Sequence, residues 1–226
     1  MDNNSNDLDW VREKLGIQEF VSVETIRSAE ENAVTRVETD KGIFILKQGP
    51  NLEGEKDLLI WLDSKLPVPK VIAWQDGNEQ DNLLMTYIEG EDLARFSEKI
   101  SGEELVSLLA ETLHLIHSID ISDCPFGKKN NNSVFIHGDA CLPNFIFDES
   151  GLKGIIDLGR SGIGKEEDDL AAAIWSLDFN FGPELGAAFL RSYGFASPTN
   201  DDAERLKLKY ENNWAERFEG NRENSC

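Results

Sequence analysis

Cysteine is scarce in this chain. Its three cysteines, Cys124, Cys141 and Cys226, are an odd number among 226 residues and show no C-x-x-C spacing. That argues against a disulfide framework and against a structural zinc site. Basic residues are few as well: 22 Lys and Arg stand against 43 Asp and Glu, a formal net charge of −21. Such a field repels nucleic acid and attracts cations, so it is compatible with a cationic substrate. Its plainest service is solubility. Long apolar runs are missing too; none approaches the ~20 residues of a membrane helix. Met1 to Trp10 is polar and acidic, unlike a secretory signal. These absences predict a cytoplasmic protein with no nucleic-acid partner and no membrane attachment.

What is present changes character along the chain. Phe20–Val23, Ala33–Thr39 and Ile43–Lys47 carry β-branched and aromatic residues in near alternation, and Asp40-Lys41-Gly42 supplies turn chemistry. Glu53 to Lys65 has helical spacing through Leu58, Leu59 and Leu62, and Pro67 and Pro69 stop it. Val71–Trp74 and Leu83–Tyr87 read as two further strands. From Ser101 the pattern is mainly helical: a capped start at Ser101-Gly102-Glu103-Glu104, then Leu105, Leu108, Leu109, Leu113 and Ile116 on one stripe. Two short strands, Phe145–Phe147 and Gly154–Ile156, interrupt it around a turn at Glu149-Ser150-Gly151. Helices follow at Asp168–Asp178, Glu184–Tyr193 and Asp201–Phe218. The order predicts an α+β fold of two lobes, a β-rich N-lobe over 1–88 and a mainly α-helical C-lobe over 89–226. Clefts between lobes are common ligand sites.

The residues that carry chemistry lie at 137–160. His137-Gly138-Asp139-Ala140-Cys141-Leu142-Pro143-Asn144 has the frame H-x-D-x-x-x-x-N, and Asp157-Leu158-Gly159 has the frame D-x-G after a hairpin-sized gap. Phosphoryl transfer explains these types together. A hydroxyl nucleophile needs a carboxylate to orient it and take its proton, and Asp139 is the candidate. Mg²⁺ ions on nucleotide phosphates need hard oxygen ligands, which Asn144 and Asp157 offer. Asn at 144 also limits carboxylate crowding. Either motif alone would be an ordinary acidic loop; both in order are specific.

Lys47 ends an apolar strand, and Glu55 stands on the helix after it, with Glu53 as a competing partner. Such a lysine, held by a glutamate, can clamp phosphates. The turn Ser28-Ala29-Glu30-Glu31-Asn32-Ala33 is where a phosphate loop would lie, yet it holds no glycine. Backbone amides and the Ser28 hydroxyl could cover phosphates there; a plain acidic hairpin turn fits as well. His114 and His117 are i and i+3 on a helix with no third ligand in view, and helix packing is their simpler reading.

HGDACLPN at 137–144 and IDLGRSG at 156–162 resemble the aminoglycoside 3′-phosphotransferases more than protein kinases, which usually carry Arg where this chain has Gly138. Leu83 through Leu93, Cys124-Pro125-Phe126, Asp168–Ala171 and Tyr193-Gly194 extend the resemblance over most of residues 20–195. It implies a kinase-like fold, ATP (or GTP) and Mg²⁺ as cofactors, and a small-molecule hydroxyl acceptor of cationic character. It implies Asp139 as base, Asn144 and Asp157 as Mg²⁺ ligands, and Lys47 with Glu55 as phosphate clamp. Adenine would bond to backbone between Thr86 and Ile88, and Asp169 would support the catalytic loop. The family's long helical insertion between its CPF and HGD elements is missing, since only Gly127 to Ile136 joins them here. The ending, Lys207 through Tyr210 to Trp214 and Phe218, could replace that substrate wall or simply pack. Other acceptors therefore stay open: an amino alcohol, a sugar, a macrolide, or none, in a truncated nucleotide-binding protein.

Overall fold

The structure, a computed structural model, describes residues 3–28, 32–77 and 80–223, with side chains described from residue 7 to residue 212 within those ranges. Its contacts divide into two compact units, Met1–Glu89 and Gly90–Cys226.

The first unit opens with helix α1 (Asn3–Leu15), followed by strands β1 (Ser22–Ser28), β2 (Ala33–Thr39) and β3 (Gly42–Gly49). Helix α2 (Glu53–Leu62) leads to β4 (Val71–Gln75) and β5 (Asp81–Thr86). The strands form one antiparallel sheet in the order β1-β2-β3-β5-β4. Alternation along β2 and β3 sends Val37 and Leu46 inward, where they meet Leu84 of β5 and Val11 of α1. Trp10, Leu15, Phe20 and Phe44 cover this cluster. Strand β1 is exposed along its whole length and begins at Ser22, inside the run Phe20–Val23. Helix α2 ends at Leu62, ahead of the prolines; Leu58, Leu59 and Leu62 form its buried stripe.

The second unit begins with a two-residue strand β6 (Glu91–Asp92) and a single turn of helix α3 (Leu93–Phe96), capped by the Asp92 side chain. Helix α4 (Gly102–His117) follows; the Ser101 hydroxyl accepts from the Glu104 N–H, the expected cap. Strands β7 (Val134–Ile136), β8 (Phe145–Asp148), β9 (Gly151–Ile155) and β10 (Gly162–Gly164) come next, then helices α5 (Glu166–Phe181), α6 (Gly186–Tyr193) and α7 (Asn200–Glu223). β8 pairs with β9 and β6 in one small sheet, and β7 pairs with β10 in another. Helix α5 is buried along Leu170 to Ile174, where three successive alanines let neighbouring elements approach closely. Leu105, Leu109 and Leu113 of α4 and Phe189 and Leu190 of α6 complete this core.

Strands β6, β7 and β10 are absent from the sequence reading. Each has two or three residues, too short for a period to register. No helix among the described residues is long and apolar enough to cross a membrane.

Candidate active site

In the first unit, β3 delivers Lys47 and α2 delivers Glu55. Lys47 Nζ lies 2.9 Å from Glu55 Oε1 and 2.7 Å from Oε2. The competition between glutamates is decided by the helix face: the Glu55 side chain is 7% exposed, whereas Glu53 is 70% exposed and pairs loosely with Lys56 at 4.0 Å. A buried carboxylate needs a cation, and Lys47 is that cation. Ser28 is the exposed last residue of β1, its Cα opposite Ala33. Residues 29–31, the rest of the expected phosphate turn, lie outside the described residues. Thr86 ends β5. Its N–H donates to the Lys70 carbonyl and its hydroxyl accepts from the Lys70 N–H, both at 2.9 Å. The Tyr87 N–H donates to the Ile43 carbonyl at 3.3 Å, and Ile88 follows half-buried.

In the second unit, strands β7 and β10 bracket the candidate loop. Ile136 pairs with Gly162, so residues 137–161 leave and re-enter at one place. Inside this loop the backbone is over-determined. Asp169, fully buried on α5, accepts the His137 N–H at 2.7 Å through Oδ2 and the Gly138 N–H at 2.8 Å through Oδ1. His137 Nε2 donates to the Ile156 carbonyl at 3.0 Å, which fixes its tautomer and leaves Nδ1 to accept the Asp139 N–H at 3.3 Å. Gly138 has φ +79°, and a Cβ there would stand 2.2 Å from the Arg160 carbonyl oxygen. The close approach of the two motif segments thus explains why Arg, usual in protein kinases, has no room at 138.

Asn144 and Asp157 are tied to the same loop. Asn144 Nδ2 donates to the Asp139 carbonyl at 2.8 Å, and the Ile156 N–H donates to the Asn144 carbonyl at 2.9 Å. With its amide nitrogen so used, Asn144 has its Oδ1 as the remaining side-chain oxygen acceptor. Asp157 has φ +57°, a left-handed backbone that residues other than glycine seldom adopt. Such strain persists where surroundings impose it, commonly at functional sites. A neutral carbonyl oxygen and a carboxylate on one anchored loop fit a hard divalent cation that completes its shell with phosphate oxygens and water.

The Asp139 carboxylate faces three groups. Its Oδ1 accepts from the Tyr210 hydroxyl of α7 at 3.0 Å and from the Cys141 thiol at 3.5 Å; Arg160 Nη1 stands 3.6 Å from Oδ2. Burial, then the Asp139 charge, pushes the Cys141 thiol up to about 12. Burial likewise raises Tyr210, with Cys141 and Asp139 adding to it, so both groups hold their protons at neutral pH. Neither Tyr210 nor Arg160 is a site residue in the sequence reading. Arg160 adjoins a motif and could have been singled out. Tyr210 is 71 residues from Asp139, and no local pattern points to it.

The helical histidines are packing residues. His117 Nε2 donates to Asp169 Oδ2 at 3.0 Å, and its Nδ1 accepts from the Tyr193 hydroxyl at 2.7 Å. His114 stacks on the Tyr193 ring at 4.2 Å.

Comparison with known proteins accords with this geometry. A family profile described as the phosphotransferase enzyme family, APH, matches residues 22–131 and 127–208. An aminoglycoside 3′-phosphotransferase of Niallia circulans is 30% identical over 203 residues, covering 70% of this chain and 76% of the relative. One from Escherichia coli is 25% identical over 247 residues, covering 89% and 87%. Among solved structures, an aminoglycoside-3′-phosphotransferase of type VIII superposes with TM-score 0.69 at 22% identity, covering 89% of this chain and 96% of that one. An APH(4)-Ia ternary complex with AMP-PNP and hygromycin B gives TM-score 0.75 at 13% identity, covering 97% and 93%. The fold is the two-lobed α+β fold of the protein-kinase-like phosphotransferases, and the chain belongs to the phosphotransferase enzyme family that includes the aminoglycoside 3′-phosphotransferases.

Proposed function

We propose that this enzyme is an ATP-dependent kinase that moves the γ-phosphoryl group to a hydroxyl of an aminoglycoside. The observation that carries the reading is the anchored loop in which Asp139, Asn144 and Ile156 are bonded to one another, with Asp157 next in the chain. The names of the relatives, aminoglycoside 3′-phosphotransferases, support the acceptor class. Superposable ternary complexes that hold ATP and AMP-PNP support ATP as the donor.

In this reading Asp139 receives the proton of the acceptor hydroxyl as the oxygen attacks phosphorus. Lys47, steadied by Glu55, holds the phosphates. Asn144 and Asp157 hold Mg²⁺, which when bound neutralises charge on the transferring phosphoryl group. At the adenine end, the Thr86 and Tyr87 N–H groups are already engaged, which leaves the Ile88 N–H as donor and favours it. Ser28 flanks the turn that would cover the phosphates. The N-terminal unit then serves the nucleotide, and the C-terminal unit the catalysis and the acceptor.

The short connection Gly127–Ile136 favours a second reading, a kinase for another hydroxylated compound such as an amino alcohol, a sugar or a macrolide. The test is Mg²⁺-dependent transfer from ATP and from GTP across a panel of these compounds and aminoglycosides, with Asp139→Ala alongside. Turnover of an aminoglycoside that Asp139→Ala abolishes supports the first reading. Turnover of another class alone supports the second.

A further inference from the structure

Helix α7 brings a hydroxyl to the carboxylate that, in the kinase reading, takes the acceptor's proton. Tyr210 Oη lies 3.0 Å from Asp139 Oδ1. A phenolic O–H can only donate to an ionised carboxylate, so the bond has the chemistry of an acceptor hydroxyl on its base. The opposite oxygen, Oδ2, faces the Arg160 guanidinium at 3.6 Å. A carboxylate approached by a cation on one oxygen has its other oxygen as the better seat for a neutral hydroxyl. Tyr210 occupies that seat.

The position of Tyr210 is built. Its ring packs on Trp175 of α5, with centroids 5.5 Å apart, and its hydroxyl also lies 3.9 Å from the Cys141 sulfur. In the turn of α7 that precedes it, Lys207 pairs with Asp178, and Lys209 pairs with Asp168 at 2.9 Å and Glu167 at 3.3 Å. These pairs fasten α7 to α5. The Tyr210 ring follows them as a side chain that can swing by its own rotamer while the helix stays docked. Beyond Trp175 the Phe179 ring continues the stack at 5.4 Å and is 75% exposed.

We propose that Tyr210 is an acceptor-site residue that mimics the substrate hydroxyl on Asp139, and that a true acceptor is phosphorylated only after displacing it. This rests on the kinase reading of the site. The competition acts as a selectivity filter. A lone hydroxyl such as water trades one hydrogen bond for another and gains nothing. An acceptor with further contacts along the Trp175 and Phe179 rings can shift the balance. Because binding-competent protein is the fraction with Tyr210 swung away, the acceptor's apparent affinity is reduced by that fraction.

The experiment compares wild type, Tyr210→Phe and Asp139→Asn as full-length proteins with ATP and Mg²⁺. It measures acceptor-independent ATP hydrolysis and steady-state phosphorylation of kanamycin A. Thermal melting is recorded for each protein. Tyr210→Phe keeps the ring on Trp175 and removes only the hydroxyl. The expected result is an acceptor KM lowered on the order of tenfold, with kcat moving less, and acceptor-independent hydrolysis raised on the order of tenfold, since a hydrogen bond to a charged group is lost. Either change, at unaltered melting temperature and with turnover lost in Asp139→Asn, supports the proposal. So does a phosphate mass mapped to Tyr210 of the wild type, because only a hydroxyl in the acceptor seat would receive it. Asp139-dependent turnover with KM and basal hydrolysis unchanged in Tyr210→Phe overturns it. So does a fall in kcat alone, which would make Tyr210 a residue that orients the base. Absence of Asp139-dependent turnover with any acceptor or with water overturns the kinase reading itself, and the proposal with it.

Discussion

Asp169 holds Gly138 and its neighbour by both oxygens: Oδ1 takes the Gly138 N–H at 2.8 Å and Oδ2 takes the His137 N–H at 2.7 Å. One buried carboxylate therefore fixes two successive peptide planes directly ahead of Asp139. Asp169→Ala leaves those donors, and the His117 Nε2–H, unpaired in the interior. A loss of about 3–5 kcal/mol is expected from removing one partner of a buried charged network. Urea unfolding measures it. Asp169→Asn, which keeps one acceptor oxygen, should lose less.

Gly138→Ala places a methyl group 2.2 Å from the Arg160 carbonyl oxygen at a φ of +79°. The two motif segments must then separate. Phosphoryl transfer should fall on the order of a hundredfold, the usual consequence of a displacement of about 1 Å among reacting groups. Single-turnover kinetics with saturating nucleotide isolates that step.

Lys47 pairs with the buried Glu55, while Glu53 is largely exposed. Glu55→Ala removes a charge-assisted hydrogen bond to Lys47 and should cost about 1.5–3 kcal/mol of stability. It should also raise the KM for ATP. Glu53→Ala should stay within about 0.5 kcal/mol of wild type and leave KM alone. Chemical denaturation and nucleotide titration of the two variants side by side separate the glutamates.

The half-buried Cys141 thiol sits beside the Asp139 carboxylate, and its acidity is shifted from 9.0 up to about 12. Folded protein thus keeps a proton that the unfolded chain releases. This contribution to stability is complete below about pH 9 and is lost as pH rises toward about 12. Alkylation by iodoacetamide at about pH 9, followed by peptide mass mapping, should find Cys141 unreactive in native protein and reactive in urea. Asp139→Asn removes the neighbouring charge and should speed the native reaction.

Much of the architecture is legible in the sequence because it rests on local periodicity. The stripe Leu105, Leu109, Leu113 and the Ser101 cap define α4, and the alternation through Val37 defines β2. Asp139, Asn144 and Asp157 stand out in the sequence for another reason: the phosphoryl transfer proposed above calls for a base and oxygen ligands of those types in that order. Tyr210 is not legible, because its partner lies 71 residues away and only the docking of α7 on α5 brings the two together. The pairing of β7 with β10 is hidden for the same reason, since three-residue strands owe their existence to what they join.

That pairing has a consequence for how this chain can change. Residues 137–161 enter and leave through neighbouring positions, Ile136 opposite Gly162, and inside them the bonds run mostly from loop to loop. The loop behaves as a cartridge in a frame. Segments outside it, such as the link from Gly127 onward or the far end of α7, can lengthen, shorten or be exchanged without altering the spacing of Asp139, Asn144 and Asp157. New acceptor preferences can therefore arise at the periphery while the cartridge is inherited intact.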